Sequence, residues 1–137
     1  MNKIKYDINT MKYIQIFEAM THTRLKDCVA NEVLLFIVEE NEIGKAIGKG
    51  GSNVKRLEGL LKKRIKIVEF NPDVKHFINN FVMPLQVRGI TEENGVITLT
   101  GPDTKTKGLL IGRDAKNLNH LKDIVRRYFE VEDIKVV

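Results

Sequence analysis

Apolar positions along this chain switch between a helical and an extended period, and the whole series runs through twice. Tyr13, Ile14 and Phe17 lie at helical spacing, and Phe77, Ile78 and Phe81 repeat them 64 positions later. Each set predicts a helix with one buried side. Asn9 or Thr10 is placed to cap the first helix, and Asn71-Pro72-Asp73 reads as a cap with proline in the first turn of the second. The period then shortens. Val33 to Val38 is a continuous run of strand formers, matched by Val96 to Thr100, and weaker strand signals precede them at Leu25 to Ala30 and Leu85 to Ile90. Short helices are predicted over Glu42 to Ile47 and Thr104 to Ile111. Longer ones follow, with stripes at Val54, Leu57 and Leu61, and at Leu118, Leu121, Val125 and Tyr128. Ile65 to Val68 and Ile134 to Val137 close the two series as strands. Their offset is 69, so the second long helix or its connection is about five residues longer.

Between each short and long helix lies a glycine-bearing turn. The first reads Ile47-Gly48-Lys49-Gly50-Gly51-Ser52-Asn53-Val54, and the second Ile111-Gly112-Arg113-Asp114-Ala115-Lys116-Asn117-Leu118. Glycine permits positive φ and close approach, the turn feeds a helix N-terminus, and a lysine or arginine adds a cation. Such a turn suits a phosphate. A plain helix–helix turn would explain one copy; two copies in matching contexts point to a duplicated binding module. The second copy puts Ala at the last glycine and a carboxylate, Asp114, where a phosphate would approach, so it is expected to bind more weakly or in another register, or to serve as scaffold.

The order α-β-β-α-turn-α-β, twice in 137 residues, predicts an α+β chain of two small units, 1–70 and 71–137. The joint near Glu69–Asp73 has no Gly/Ser-rich linker, so a fixed angle and a shared apolar interface are expected. Charge sharpens the picture. Residues 42–66 carry eight Lys/Arg against two Asp/Glu, residues 105–127 seven against two, and the remainder eight against fourteen. Segregation of this kind fits an anionic polymer as partner, the plainer alternative being two solvated lysine-rich helix faces. A hydrophobic content of 42% suffices for a core, and no stretch approaches the ~18 apolar residues of a membrane span. With no secretory-type leader in the first residues and one cysteine, Cys28, read as a half-buried core residue, a cytoplasmic setting is expected.

Enzymatic signatures fail. A Walker loop requires one more residue between Gly44 and Gly48, and a hydroxyl where Gly50 stands; the dinucleotide fingerprint requires glycine at Asn53. His22, His76 and His120 are scattered, with no metal-ligand spacing and no nucleophile–base set. Glu92-Glu93-Asn94-Gly95 reads as a solvated turn. Neither catalytic residues, nor a metal, nor a cofactor is expected.

The run Ile47 to Val54 resembles the I-G-x-x-G-x-x-[IV] core of the KH domain, whose loop clamps single-stranded RNA backbone. The α-β extension ahead of β-α-α-β resembles the type II, prokaryotic arrangement. Two such units resemble the archaeal NusA-like transcription termination/antitermination proteins. The likeness is carried further by Asn53-Val54-Lys55-Arg56-Leu57 and by Arg127-Tyr128-Phe129-Glu130-Val131-Glu132-Asp133-Ile134, and it covers almost the whole chain. It implies tandem type II KH domains, each a three-stranded mixed sheet covered by helices in an α/β sandwich. It also implies single-stranded RNA as ligand, a nascent transcript, with RNA polymerase or the ribosome as further partners of a monomer. Gly48, Lys49, Gly50 and Gly51 would then hold phosphates, with Ser52 beside them in the RNA-binding set. Ile47, Val54 and Ile67 would make apolar contacts, though the pattern alone reads Val54 and Ile67 as core. Asn53 would reach base edges, and Lys45, Lys55 and Arg56 would line the rim. Gly112, Arg113, Asp114, Ala115, Lys116 and Asn117 form the second candidate set. No aromatic lies in either loop, unlike a base-stacking sheet. Alternative readings are a ribosome-associated or RNA-processing KH factor and, from another class, a nucleotide-acting enzyme.

Overall fold

A computed structural model describes residues 6–137. The chain divides into two compact units, the first ending at Asn71 and the second beginning at Pro72. The first contains α1 (Ile8–Thr21), β1 (Leu25–Ala30), β2 (Val33–Val38), α2 (Ile43–Ile47), α3 (Ser52–Leu61) and β3 (Arg64–Glu69). The second repeats the order with α4 (Val74–Val82), β4 (Gly89–Glu93), β5 (Val96–Thr100), α5 (Thr104–Ile111), α6 (Lys116–Arg126) and β6 (Asp133–Val136).

Each unit holds a mixed three-stranded sheet. β2 is central in the first, antiparallel to β1 and parallel to β3; β5 is central in the second, antiparallel to β4 and parallel to β6. A hairpin joins the antiparallel pair. The parallel pair needs a crossover, and the two helices flanking the glycine turn supply it.

Alternation along β2 decides the first core. Leu34, Phe36 and Val38 face the helices and cluster with Phe17 of α1, Cys28 of β1, Ala46 of α2 and Leu57 of α3. Phe17 and Phe36 stack at 4.3 Å between ring centroids. Leu35, Ile37 and Val68 occupy the alternate positions and are buried as well. Cys28 is fully buried, not half-buried, because it pairs with Phe36 in the middle of the hairpin. In the second unit, Ile97 and Leu99 are buried while Val96, Thr98 and Thr100 are only partly so. Phe77 of α4 gathers Phe81, Tyr128 and Phe129, with Tyr128 edge-on at 5.7 Å.

Several boundaries differ from the sequence reading. Asp7, not Asn9 or Thr10, caps α1, accepting from the Thr10 amide at 2.7 Å. Asp73 caps α4, which leaves Pro72 ahead of the cap and outside the first turn. The strand expected at Leu85 to Ile90 lies instead at Gly89–Glu93. Its register counts back from a two-residue turn in which Asn94 and Gly95 both have positive φ, so Glu92 and Glu93 are strand residues. Leu85 is held back by the hydrogen bond that its backbone N–H donates to the Val82 carbonyl at 2.9 Å. Tyr128 falls beyond the end of α6 at Arg126, and most of the extra length of the second unit lies in the connection to β6.

The caps of α1 and α5 carry a pH signature. The Thr10 amide and then its hydroxyl hold the Asp7 carboxyl below the usual carboxylate range, and Thr106 does the same for Asp103. A lowered folded-state pKa gives stability that is complete above the unfolded value of about 3.9 and disappears as pH falls through the folded value. Asp7→Ala and Asp103→Ala should each lower the melting temperature at neutral pH, by an amount that shrinks to nothing in strong acid. Calorimetric titration of the wild type and both variants checks this.

Candidate nucleic-acid interface

Both glycine turns have the same backbone. Gly48 sits at φ 77°, ψ 167°, and Gly112 at φ 76°, ψ 171°, a region only glycine enters without heavy strain. Two left-handed residues follow two positions later: Gly50 and Gly51 in the first turn, Asp114 and Ala115 in the second, all with φ between 54° and 74°. A tight 3-10 turn closes each loop, with the Gly51 amide on the Gly48 carbonyl at 3.1 Å and the Ala115 amide on the Gly112 carbonyl at 3.2 Å.

The sequence-predicted asparagines explain how the turn is held. The Asn53 side-chain amide donates to the Lys45 carbonyl at 3.1 Å, and Asn117 donates to Leu109 at 2.8 Å. Each ties the start of the longer helix to the end of the shorter one. A β-carbon on Gly48 would lie 2.8 Å from Ser52 Oγ and 3.0 Å from Asn53, and one on Gly112 would lie 2.7 Å from Asn117. The first glycine of each turn is therefore required by this clamp. Gly50 and Gly51 have open space where a β-carbon would be, so their backbone is reachable from outside.

Helix caps complete the picture. Asp side chains cap α1, α4 and α5, whereas α3 and α6 start at Gly51 and Ala115 with no side-chain cap. The Ser52 and Lys116 amides, first in α3 and α6, donate to the Lys49 and Arg113 carbonyls within the 3-10 turn, and no side chain caps the helix starts, which lie at the positive end of the helix dipole. Lys49 is exposed on the turn, and Lys45, Lys55 and Arg56 are exposed around it. Ile47 and Val54 are half-buried beside the loop. Ile67 instead packs against the Phe17–Phe36 core, as its strand position opposite Phe36 dictates.

The second set is differently furnished. Arg113, Asp114 and Lys116 are exposed, and Gly112, Ala115 and Leu118 are partly covered. Leu109, half exposed, stands at the position of Lys45, Asn119 at that of Lys55, and His120 at that of Arg56. The His120 ring lies 5.7 Å from that of Phe81 and so packs toward α4. The rim cations of the first loop thus have no counterpart at these three positions.

Two residues escape a motif-based reading. Gly44 and Gly108, also 64 apart, are exposed inside α2 and α5, and nothing in the protein lies where their β-carbons would be. Glycine inside a helix costs about 1 kcal/mol relative to alanine. Their carbonyls accept from the Gly48 and Gly112 amides, so each lies one turn ahead of its loop, on the approach to it. The repeated offset is the signal that finds them. Among the described residues, no group of His, Cys, Asp or Glu is placed to hold a metal, and no helix is long and apolar enough to cross a membrane.

Comparison with known proteins agrees with this geometry. The family model described as KH domain matches residues 13–83. A protein of Methanococcus vannielii named "Probable transcription termination protein NusA" is 32% identical over 98% of this chain and 80% of its own length. Proteins of the same name from Methanocaldococcus jannaschii and Thermoplasma acidophilum are each 32% identical, over 100% and 99% of this chain and 77% and 97% of theirs. Among solved structures, the crystal structure of APE1850 superposes with a TM-score of 0.75 at 27% identity, covering 96% of this chain and all of that one. With a KH match over half its length and archaeal relatives along nearly all of it, the chain belongs to the KH-domain family and, within it, to the archaeal NusA-like proteins.

Proposed function

We propose that this protein binds single-stranded RNA through tandem type II KH domains, with a boundary near Asn71, and modulates elongation, termination or antitermination on nascent transcripts. The observation that carries the reading is the uncapped N-terminus of α3 behind an open Gly-Lys-Gly-Gly turn. KH loops clamp about four backbone nucleotides, and a turn of this shape presents a helix start and a cation to successive phosphates. The single parallel strand pair in each sheet supports the type II assignment. The names of the archaeal relatives support the transcriptional role.

In this reading Gly48, Lys49, Gly50, Gly51 and Ser52 grip the sugar–phosphate chain, while Ile47 and Val54 face the bases. Asn53 acts first on the protein itself, holding the loop closed, and only its remaining polar atoms are left for a base edge. Lys45, Lys55 and Arg56 draw the polyanion in. The second loop keeps the backbone shape but adds the charge of Asp114 and lacks the three rim cations, so it is the weaker site. The protein acts as a binding factor and catalyses no reaction.

The variant Lys49→Asp with Gly50→Asp tests the first loop. Asp114 already occupies the left-handed position that corresponds to Gly50, so the fold tolerates aspartate there. The circular dichroism spectrum should stay unchanged, and single-stranded RNA affinity should fall by about 10- to 100-fold at moderate salt. Retained affinity would refute the assignment. Asp114→Gly addresses the second loop: affinity should rise severalfold in the same titration, and an unchanged value would make the second unit a scaffold.

A further inference from the structure

The outward face of α3 is furnished beyond what the loop needs. Gly59 lies mid-helix, exposed, with nothing in the protein near the place of its β-carbon. Lys55 and Arg56 precede it by four and three residues on the same helix face, and Lys62, the left-handed C-cap, and Lys63 follow just past the helix end, so cations lie on both sides of the glycine along the chain. All four are exposed. Among the described residues Lys55, Arg56 and Lys62 meet no carboxylate, and Lys63 lies 6.0 Å over the Tyr13 ring. Glu58, the helix's one carboxylate, is occupied by the Ile65 amide. Beside Arg56 the face opens into a hollow of about 510 Å3 floored by Ile16, Ala19 and Met20, with His22 at its edge.

The duplicated unit is an internal control. At the corresponding place α6 carries Asp123 instead of glycine, with Asn119 and His120 ahead of it; Arg126 and Arg127 stand where Lys62 and Lys63 do, and Arg126 is spent on the carbonyls of Val131 and Glu132. The same helix is therefore built without the glycine and the two cations ahead of it, and folding does not require them.

We propose that the outward face of α3, centred on Gly59 and flanked by Lys55, Arg56, Lys62 and Lys63, is a second phosphodiester track that carries the RNA strand onward from the first loop. The proposal rests on the RNA reading given above. The track starts where that loop's phosphate grip ends, at Ser52, and runs about 15 Å along the ten residues of α3. Paired cations astride a glycine let a sugar–phosphate chain lie close against the helix. The hollow beside Arg56 takes a base turned inward from that chain. An acidic protein segment is the competing occupant; continuity with the loop favours RNA.

The test uses the full chain and oligouridylates of two lengths. One has four nucleotides, enough for the loop; the other has about twelve, enough to continue along α3. Gly59→Glu, and separately Lys62→Asn with Lys63→Gln, should leave affinity for the short RNA within about twofold and lower affinity for the long RNA about tenfold. The lysine pair should also make the salt dependence of long-RNA binding shallower by about 1.4, two phosphates' worth for a single strand. Equal losses at both lengths, or none at either, would overturn the track. Capture of polyglutamate by the wild type but by neither variant, with long-RNA affinity unchanged, would overturn it in favour of an acidic protein. A wild type that binds neither RNA would instead sink the RNA reading itself.

Discussion

A chain that reverses between two helices within four residues has few backbone solutions, and the solution adopted twice here governs the rest of each unit. It needs one residue in the glycine-only region and two in the left-handed region. It also needs the ends of both helices tied together, which Asn53 and Asn117 do through the carbonyls of Lys45 and Leu109. Once the reversal is fixed, the entry of α3 and α6 is fixed, and with it which N–H groups stay open. On the proposed reading, the phosphate-facing surface is preorganised by the covalent geometry of the turn, which reduces the ordering cost of capturing a flexible polymer.

The sheet anchors this arrangement from below. In the first unit α2 and α3 form the crossover between β2 and β3, and their inward residues Ala46 and Leu57 seal onto the stacked Phe17 and Phe36. Burying such aromatic pairs supplies a large share of the hydrophobic stabilisation available to so small a unit. The loop therefore projects from a well-packed base. The second unit reaches the same end with other contacts, Phe77 drawing Phe81, Tyr128 and Phe129 around the base of α6.

Much of this was legible in the residues because the signals were redundant. The offset of 64 between Phe17 and Phe81 and between Gly48 and Gly112 revealed the duplication, and the alternation of periods gave the element order. Hairpin register was harder to read. The strand before Val96 is positioned by the Asn94-Gly95 turn and by the bond from Leu85 to Val82, which the apolar pattern around Leu85 does not reveal. Cap assignment failed for a similar reason: Asp7, Asn9 and Thr10 are all capping types, and only the path of the chain selects Asp7. At the candidate site the loops were plain, but the work of Asn53 inside the protein and the exposure of Gly44, Gly59 and Gly108 depend on neighbours far along the chain.

Ala115 and Asp114 hold left-handed conformations that in glycine would carry no β-carbon penalty, at a cost of about 1 kcal/mol or more for alanine. The second loop thus keeps the backbone shape of the first with a different composition. In the genetic code every alanine and aspartate codon lies one nucleotide change from a glycine codon, so a loop with the glycines of the first is within easy mutational reach. On the proposed reading, the second unit therefore carries its weaker site in a backbone already shaped like the first loop, and strengthening it would need no remodelling of the scaffold around it.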